Sequence, residues 1–495
     1  MDQWVLSLPF AEPRCFIGPC CLALSASLGD KVVFPESQEY RSSLSSYHSQ
    51  QESHLEPLCI VIPTTSDDVS TAVSSLSSTV EVLGDDDDEQ SSCQFAIRSG
   101  GHAGIAGAAN IEGGVTIDLR SLNTIDLSDD KSTVSVGVGA TWGDVYSKLD
   151  PLNISVAGGR VAQVGVGGLT LGGGISYFSP RYGWTCDTVS NFEVVLANGS
   201  VVNANADENP DLLFVLRGGA NNFGVVTRID FQTFEQGPIW GGAVLASSDT
   251  IEEQLKAFVD LNSAESYDEY ASLITNLGYA GGRQTFILNN VEYTKAVENP
   301  PAFEPFTKIP SMDEKGRIGS MKEMAVEQGS YSKNGRRQLF VTITHKSTFP
   351  MLNSVYLHWN KSIEAIKGVR GVVWAISLEP LPPAIYARSA TSNVFGLSDR
   401  SDALVITLLT VFWRNEADDA KVEKAARELF RKIEEDARRL GAYDPFVYPN
   451  YAAPWQDPIA SYGEKSLRKL QRVRRDVDPK GVFSRQVPGG FKIPF

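Results

Sequence analysis

The sequence predicts an α+β protein of two lobes, and three observations carry that expectation. The chain's 495 residues exceed what one core fills and suggest two to four domains or lobes at about 150 residues each. Between residues 94 and 235 short β-rich runs alternate with glycine clusters and short helices. That is the texture of an α+β unit rather than a regular β-α-β array. From 236 to 445 alternating strand-like stretches are accompanied by longer helical patterns, which predicts a separate antiparallel sheet flanked by helices.

The elements follow in order. Residues 15–25 are apolar but broken by Pro19, and Asp2 and Glu12 precede them without a basic cluster. They make a poor secretory signal. Residues 58–63 read as a buried strand closed by Pro63. Thr65 and Asp68 then form a capping box for a helix with Val69, Ala72, Val73 and Leu76 on one face. Asp85–Glu89 is a solvated acidic loop. Strands are expected at 95–98, 115–119, 133–138 and 192–196, with a helix at 142–149. In the second lobe, strands are expected at 339–344 and 372–377 and a helix opens at a Thr250…Glu253 box. A long helix covers 416–440, with Val422, Ala426, Leu429, Ile433 and Leu440 on its stripe and Gly441 as its stop. A last helix near 464–477 ends at Asp478-Pro479, before a Gly/Pro-rich tail.

Composition narrows the function. A net charge of −16 argues against a nucleic-acid partner and against docking on anionic lipid. No apolar run approaches the ~20 residues of a membrane span. The six cysteines contain no C-x-x-C pair, so a zinc site is not expected. They are too sparse for a disulfide scaffold. One bridge, between Cys93 and Cys20 or Cys21, stands beside the alternative of buried free thiols. The N-x-[ST] triplets at Asn153, Asn198 and Asn360 are weak evidence for secretion.

Three glycine-rich segments carry the chemistry: 98–107, 164–174 and 217–227. Glycine lets backbone approach a ligand closely, and successive N–H groups in such turns form anion nests. One such loop is equally a structural turn. Three, each beside a strand-like run, suggest a large phosphate-bearing cofactor. The dinucleotide fingerprint fails, because Thr170 stands where the third glycine belongs, and no G-x-x-x-x-G-K-[ST] loop exists.

Arg98-Ser-Gly-Gly-His102, Gly165-Val-Gly-Gly168, Gly172-Gly-Gly174, Arg181-Tyr-Gly183 and Asn222-Phe-Gly-Val-Val-Thr227 together resemble the FAD-binding domain of the vanillyl-alcohol-oxidase superfamily. Tyr448-Pro-Asn-Tyr451, Tyr462-Gly463, Asp478-Pro479, Gly481-Val-Phe483 and Gln486 resemble the berberine-bridge-enzyme tail. The stretch Leu171–Arg181 is similar to fungal members that serve secondary metabolism. The resemblance implies a two-lobed FAD-binding PCMH-type fold. Residues 1–54 would be an N-terminal segment on the FAD lobe, 55–235 the FAD-binding domain, 236–445 the substrate lobe and 446–495 a returning C-terminal segment. It implies FAD attached covalently through His102 to the flavin 8α-methyl group. Arg98, Ser99, Gly100 and Gly101 would form the pyrophosphate loop. Gly165, Gly167, Gly168, Thr170, Gly172, Gly173, Gly174 and Val225 would complete the cofactor site.

Departures from the family pattern are informative. Val161 replaces the cysteine that gives many relatives a second flavin bond, so attachment is expected to be single. Leu169 stands where histidine is common and Ile175 where an aromatic is. The site is thus less polar than in sugar-oxidising relatives and suits a hydrophobic polyketide, terpenoid or alkaloid. Val164 falls at the family's oxygen-gate position. The resemblance makes Tyr448, Asn450 and Tyr451 candidates for orienting substrate or taking a proton. A tyrosine of ordinary pKa, ~10, needs a neighbour to act as a base. A packed aromatic pair with a satisfied asparagine is the alternative. His345 and Glu379 could be bases but read more readily as structural, and His48, His54 and His358 as surface groups.

The expected reaction is hydride transfer from a small molecule to flavin N5, with O₂ as electron acceptor giving H₂O₂. A redox-neutral cyclase or isomerase on the same fold, for example of Diels–Alder type, is the alternative. A binding protein with a vestigial flavin site is disfavoured by the intact His102 loop. The expected quaternary state is a monomer or weak homodimer.

Overall fold

The computed structural model describes residues 18–83, 93–263, 267–282, 285–388 and 391–494. Its first sheet has the order Val32–Val33, Cys59–Val61, Val115–Asp118, Phe95–Arg98. The last three strands are parallel and the first is an antiparallel edge. Cys59–Val61 and Val115–Asp118 are buried at every position, as parallel strands covered on both faces must be. The helix Ser66–Leu83 crosses over the sheet. It opens on reciprocal bonds, Asp68 N–H to Thr65 Oγ1 at 3.2 Å and Thr65 N–H to Asp68 Oδ2 at 3.1 Å, and buries Val69, Ala72, Val73 and Leu76.

The helix Pro19–Leu28 packs beside it, and here the cysteine expectation is corrected. Two disulfides form rather than one, Cys20–Cys93 and Cys21–Cys59. Adjacent cysteines on a helix point in different directions, and each meets a different partner on the sheet. Cys186 is a buried free thiol. Cys15 and the acidic run Asp85–Glu89 lie outside the described residues.

A second, antiparallel sheet has the order Ile125–Leu127, Thr133–Gly137, Val225–Gln232, Val189–Val195, Val201–Asn205. The helix Trp142–Leu149 leans on it, opened by a Thr141/Asp144 capping box. These two sheets share one core with the returning helix Glu464–Val477, through Leu470 and Val473.

The second lobe is a nine-stranded antiparallel sheet with its own core. The helices Ile251–Asn262, Phe349–Ile366 and Asp419–Arg439 supply Leu255, Phe258, Leu352, Val355, Val422, Leu429 and Ile433 to that core. On the strand Val373–Leu381, Ile376 and Leu378 join them. Side chains alternate across a strand, so Ser377 and Glu379 point to the opposite face. Val291 and Glu292 divide in the same way. That opposite face turns toward the first lobe and carries the site.

Two helix starts differ from expectation. Thr250 does not cap Ile251–Asn262, because a 3₁₀ turn, Ser248–Thr250, precedes the helix and the Thr250 hydroxyl donates back to Ser247 O at 2.8 Å. The long helix begins at Asp419, after a 3₁₀ turn over Glu416–Asp418, and Leu440 lies past its last turn, exposed.

Candidate functional site

The first glycine loop leaves the strand Phe95–Arg98. Arg98 is fully buried, and its guanidinium is consumed by the protein itself. It donates to Ser43 O at 2.7 Å and Ser46 Oγ at 2.7 Å and stacks 3.6 Å over the Tyr47 ring. Its contribution to the loop is therefore positional, clamping the N-terminal segment against it. Ser99 Oγ donates to Val138 O at 2.6 Å and accepts from Gly167 N–H at 3.2 Å. A Cβ on Gly100 would stand 2.6 Å from the Gly165 backbone. The first and second loops thus touch backbone to backbone, which only glycine permits. Gly101 turns with φ +67°.

His102 follows, and its surroundings correct one expectation. His48 is not a surface group: it is 2% exposed and stacks on His102, ring centroids 3.6 Å apart and planes 12° from parallel. His48 Nδ1 lies 2.8 Å from Asn334 Oδ1, and the His48 backbone N–H donates to Gly101 O at 3.0 Å. Burial pushes His102 well below the ordinary imidazole range, with the His48 ring acting the same way. Both rings are neutral near pH 7, so His102 retains a free nitrogen lone pair.

The second segment forms the short helix Val166–Leu171. Thr170 Oγ1 is used internally, donating to Val166 O at 2.7 Å. Gly168 has open space where a side chain would stand. Beyond it the triple glycine makes room for the C-terminal motif. A Cβ on Gly172 would collide with Asn450 Oδ1, and one on Gly173 with the Phe395 ring. Gly174 N–H donates to the Tyr448 hydroxyl at 3.0 Å. Asn450 Nδ2 donates to Leu169 O at 3.0 Å and to Tyr448 at 3.1 Å. Val164 is half-buried beside Gly165, and Val225 is fully buried where its strand begins. Tyr448 also packs on Trp184 and meets Tyr451 edge-on, so the aromatic pair and the polar cluster are one object.

The polar end of that cluster spans the two lobes. Tyr451 donates to Glu379 Oε1 at 3.0 Å and accepts from Arg160 Nη2 at 2.7 Å. Arg160 pairs with Glu379 Oε2 at 2.8 Å. Glu292 stands on the same sheet face, 3% exposed, with Oε2 unpartnered. Burial raises its pKa to about 8 against the opposing pull of Arg160. Burial also raises both Tyr448 and Tyr451 well above the ordinary phenol value. Their hydroxyls stay protonated near neutral pH and act as hydrogen-bond donors.

Sequence reasoning missed Arg160, Glu292 and His48, and read Glu379 as structural. Arg160 follows Gly158-Gly159 without a motif around it. Alternation along Val373–Leu381 was the one available signal for Glu379. His345 is internal, held by Thr407 Oγ1 at 2.8 Å and Lys346 O at 3.0 Å, with its pKa pulled to about 4 by burial. His358 pairs with Asp436, and His54 is exposed.

This arrangement has counterparts. Residues 57–205 match a family described as FAD binding domain. Over 489 residues the chain is 38% identical to the FAD-dependent monooxygenase CTB5 of Cercospora beticola, covering 96% of this chain and 92% of that one. It is 43% identical over 479 residues to a Diaporthe leptostromiformis protein named oligopeptidase PhomG', covering 95% of this chain but spanning only 37% of that much longer one. The glucooligosaccharide oxidase of Acremonium strictum, described with a 6-S-cysteinyl, 8α-N1-histidyl FAD, superposes with a TM-score of 0.75 at 19% identity, covering 96% of this chain and 98% of that one.

Proposed function

Because the chain belongs to the berberine-bridge-enzyme-like family of FAD-linked oxidoreductases, we propose that it oxidises a small hydrophobic secondary metabolite between its two lobes. FAD would be held through His102, and O₂ would be the final electron acceptor. The residues present fit that cofactor. His102 offers a neutral imidazole, the 98–102 and 164–168 loops interlock through glycine backbone, and Gly168 leaves a face open to a ligand. Val161 offers no thiol, so one bond is expected where the A. strictum oxidase is described with two. FAD, when bound, supplies the hydride acceptor.

The observation that carries the reading is the Arg160–Glu379–Tyr451 cluster, set against the triple glycine and joined to it through Tyr448 and Asn450. Glu379 takes the substrate proton. Arg160 holds the carboxylate in place, and Tyr451 fixes the direction of its Oε1. Tyr448 and Tyr451 orient substrate through protonated hydroxyls. Leu169 and Ile175 keep the surroundings apolar, which favours an aromatic or terpenoid substrate over a sugar. Val164 borders the path that oxygen takes. Anaerobic mixing with polyketide, terpenoid and alkaloid candidates, followed by admission of air, tests this. Bleaching of the flavin by one class, then recovery with formation of peroxide, supports it. Turnover with unchanged colour would instead assign a redox-neutral cyclase.

A further inference from the structure

The chain after residue 485 is woven through the first and third glycine segments. Gln486 O accepts from Phe95 N–H at 2.7 Å, and its side chain donates to Leu76 O at 3.0 Å. That seats the tail at the head of the strand leading into the 98–102 loop. Gly489 packs so tightly on the same loop that a Cβ would strike Gly107 O. Asn221 Nδ2 donates to Gly489 O at 3.2 Å, and Asn222 Nδ2 to Phe491 O at 2.9 Å. Ile493 N–H returns a bond to Asn222 Oδ1 at 3.2 Å. Ala220 N–H reaches Leu171 O at 3.2 Å, linking the third segment to the second.

Lys492 lies inside this weave. Its ammonium donates to Asn221 Oδ1 at 3.0 Å, a neutral acceptor. The nearest carboxylate that acts on it, Asp478, is occupied by the N–H groups of Val482 and Phe483 at 2.8 Å each. Burial pulls the lysine to about 7, yet the residue keeps partial exposure to solvent. A group enclosed by protein but open on one side lines a cleft. Arg98 and Arg160 differ, since Arg98 has Asp118 and Arg160 has Glu379. An ammonium in low dielectric with one neutral partner gains most from an anion brought to it. The loops beside it are built of glycine turns whose N–H groups favour the same charge.

We propose that Lys492 is the residue that neutralises the diphosphate of FAD, delivered to the cleft by the C-terminal tail. The proposal rests on the FAD reading above. It differs from a purely structural role, in which Lys492 only fastens the tail to Asn221, because it requires charge opposite the diphosphate and none opposite the flavin ring.

The test uses full-length protein expressed under riboflavin starvation and titrated with two probes. ADP-ribose carries the internal diphosphate without the flavin ring; riboflavin carries the ring without phosphate. Lys492→Gln is expected to weaken ADP-ribose binding about tenfold to a hundredfold, to leave riboflavin within twofold, and Lys492→Arg to restore most of the loss. Equal ADP-ribose affinity in wild type and Lys492→Gln overturns the proposal. So does parallel weakening of both probes that Lys492→Arg fails to rescue, which would mark a fastener. Wild-type protein that takes up no flavin in rich medium defeats the cofactor reading itself, whereas flavin-bearing wild type indifferent to Lys492 defeats only this proposal.

Discussion

At the scale of single residues, His102 and Val161 decide how the cofactor is kept. His102→Ala is expected to abolish covalent flavin, because Val161 provides no thiol for a second bond. Fluorescence of the denatured protein on a gel, with mass mapping of the peptide containing residue 102, checks it. Val164→Leu adds one methylene beside Gly165, at a folding cost of roughly 1–3 kcal/mol if the site is tightly packed. It should slow flavin reoxidation by air and leave anaerobic reduction by substrate nearly unchanged; rapid mixing separates the two. Glu292 gives a pH signature. In the folded chain it keeps its proton up to about 8, while unfolded it loses that proton above its ordinary value. Folding therefore takes up a proton between those values, and stability drains away as pH rises through that window. Glu292→Gln should remove the slope and be more stable than wild type at pH 8 by roughly 1–3 kcal/mol, with a smaller difference at pH 5. Urea unfolding at both pH values decides it. The sequence offered Glu379 only as a possible base read more readily as structural, and gave no sign of its pairing with Arg160 or of buried Glu292. Arg160 and Glu379 are 219 residues apart, and no local pattern records a pairing made only when two lobes close. The close backbone approach of the Arg98–His102 and Gly165–Gly174 loops was legible because it is written in runs of neighbouring glycines.

At the scale of elements, periodicity was a sound guide wherever one face meets a core. The strands and the helices Trp142–Leu149 and Glu464–Val477 fall where alternation and capping residues put them. The failures lie at boundaries: a 3₁₀ turn displaced the cap at Thr250, and the pairing of Cys20 and Cys21 depends on helix direction rather than spacing. Those bridges hold the first helix to the sheet that ends in the 98–102 loop. The Cys20–Cys93 bond closes a separation of 73 residues. Cys20→Ser with Cys93→Ser is expected to cost about 2–4 kcal/mol of stability, read as a lower midpoint of unfolding under non-reducing conditions.

At the scale of the whole molecule, the nine-stranded sheet has its own core, while Met321, Met324, Leu381 and Ile406 join the first lobe's core, so the lobes meet through apolar as well as polar groups. Glu379 comes from the nine-stranded sheet of the second lobe, and Arg160 from the first lobe. Glu379→Gln is expected to lower the rate of flavin reduction by substrate by roughly 10²–10⁴-fold while flavin content and reoxidation by air stay at wild-type values. Equal loss of flavin content would assign Glu379 to lobe docking instead. The path of the tail has a consequence for a shortened chain. Residues 486–494 follow the described strands and helices of the cofactor lobe in chain order, yet they brace the first and third glycine segments. A chain that stops before residue 486 lacks those braces. A chain cut before residue 486 is expected to take up little flavin, which the absorbance of the purified truncation checks.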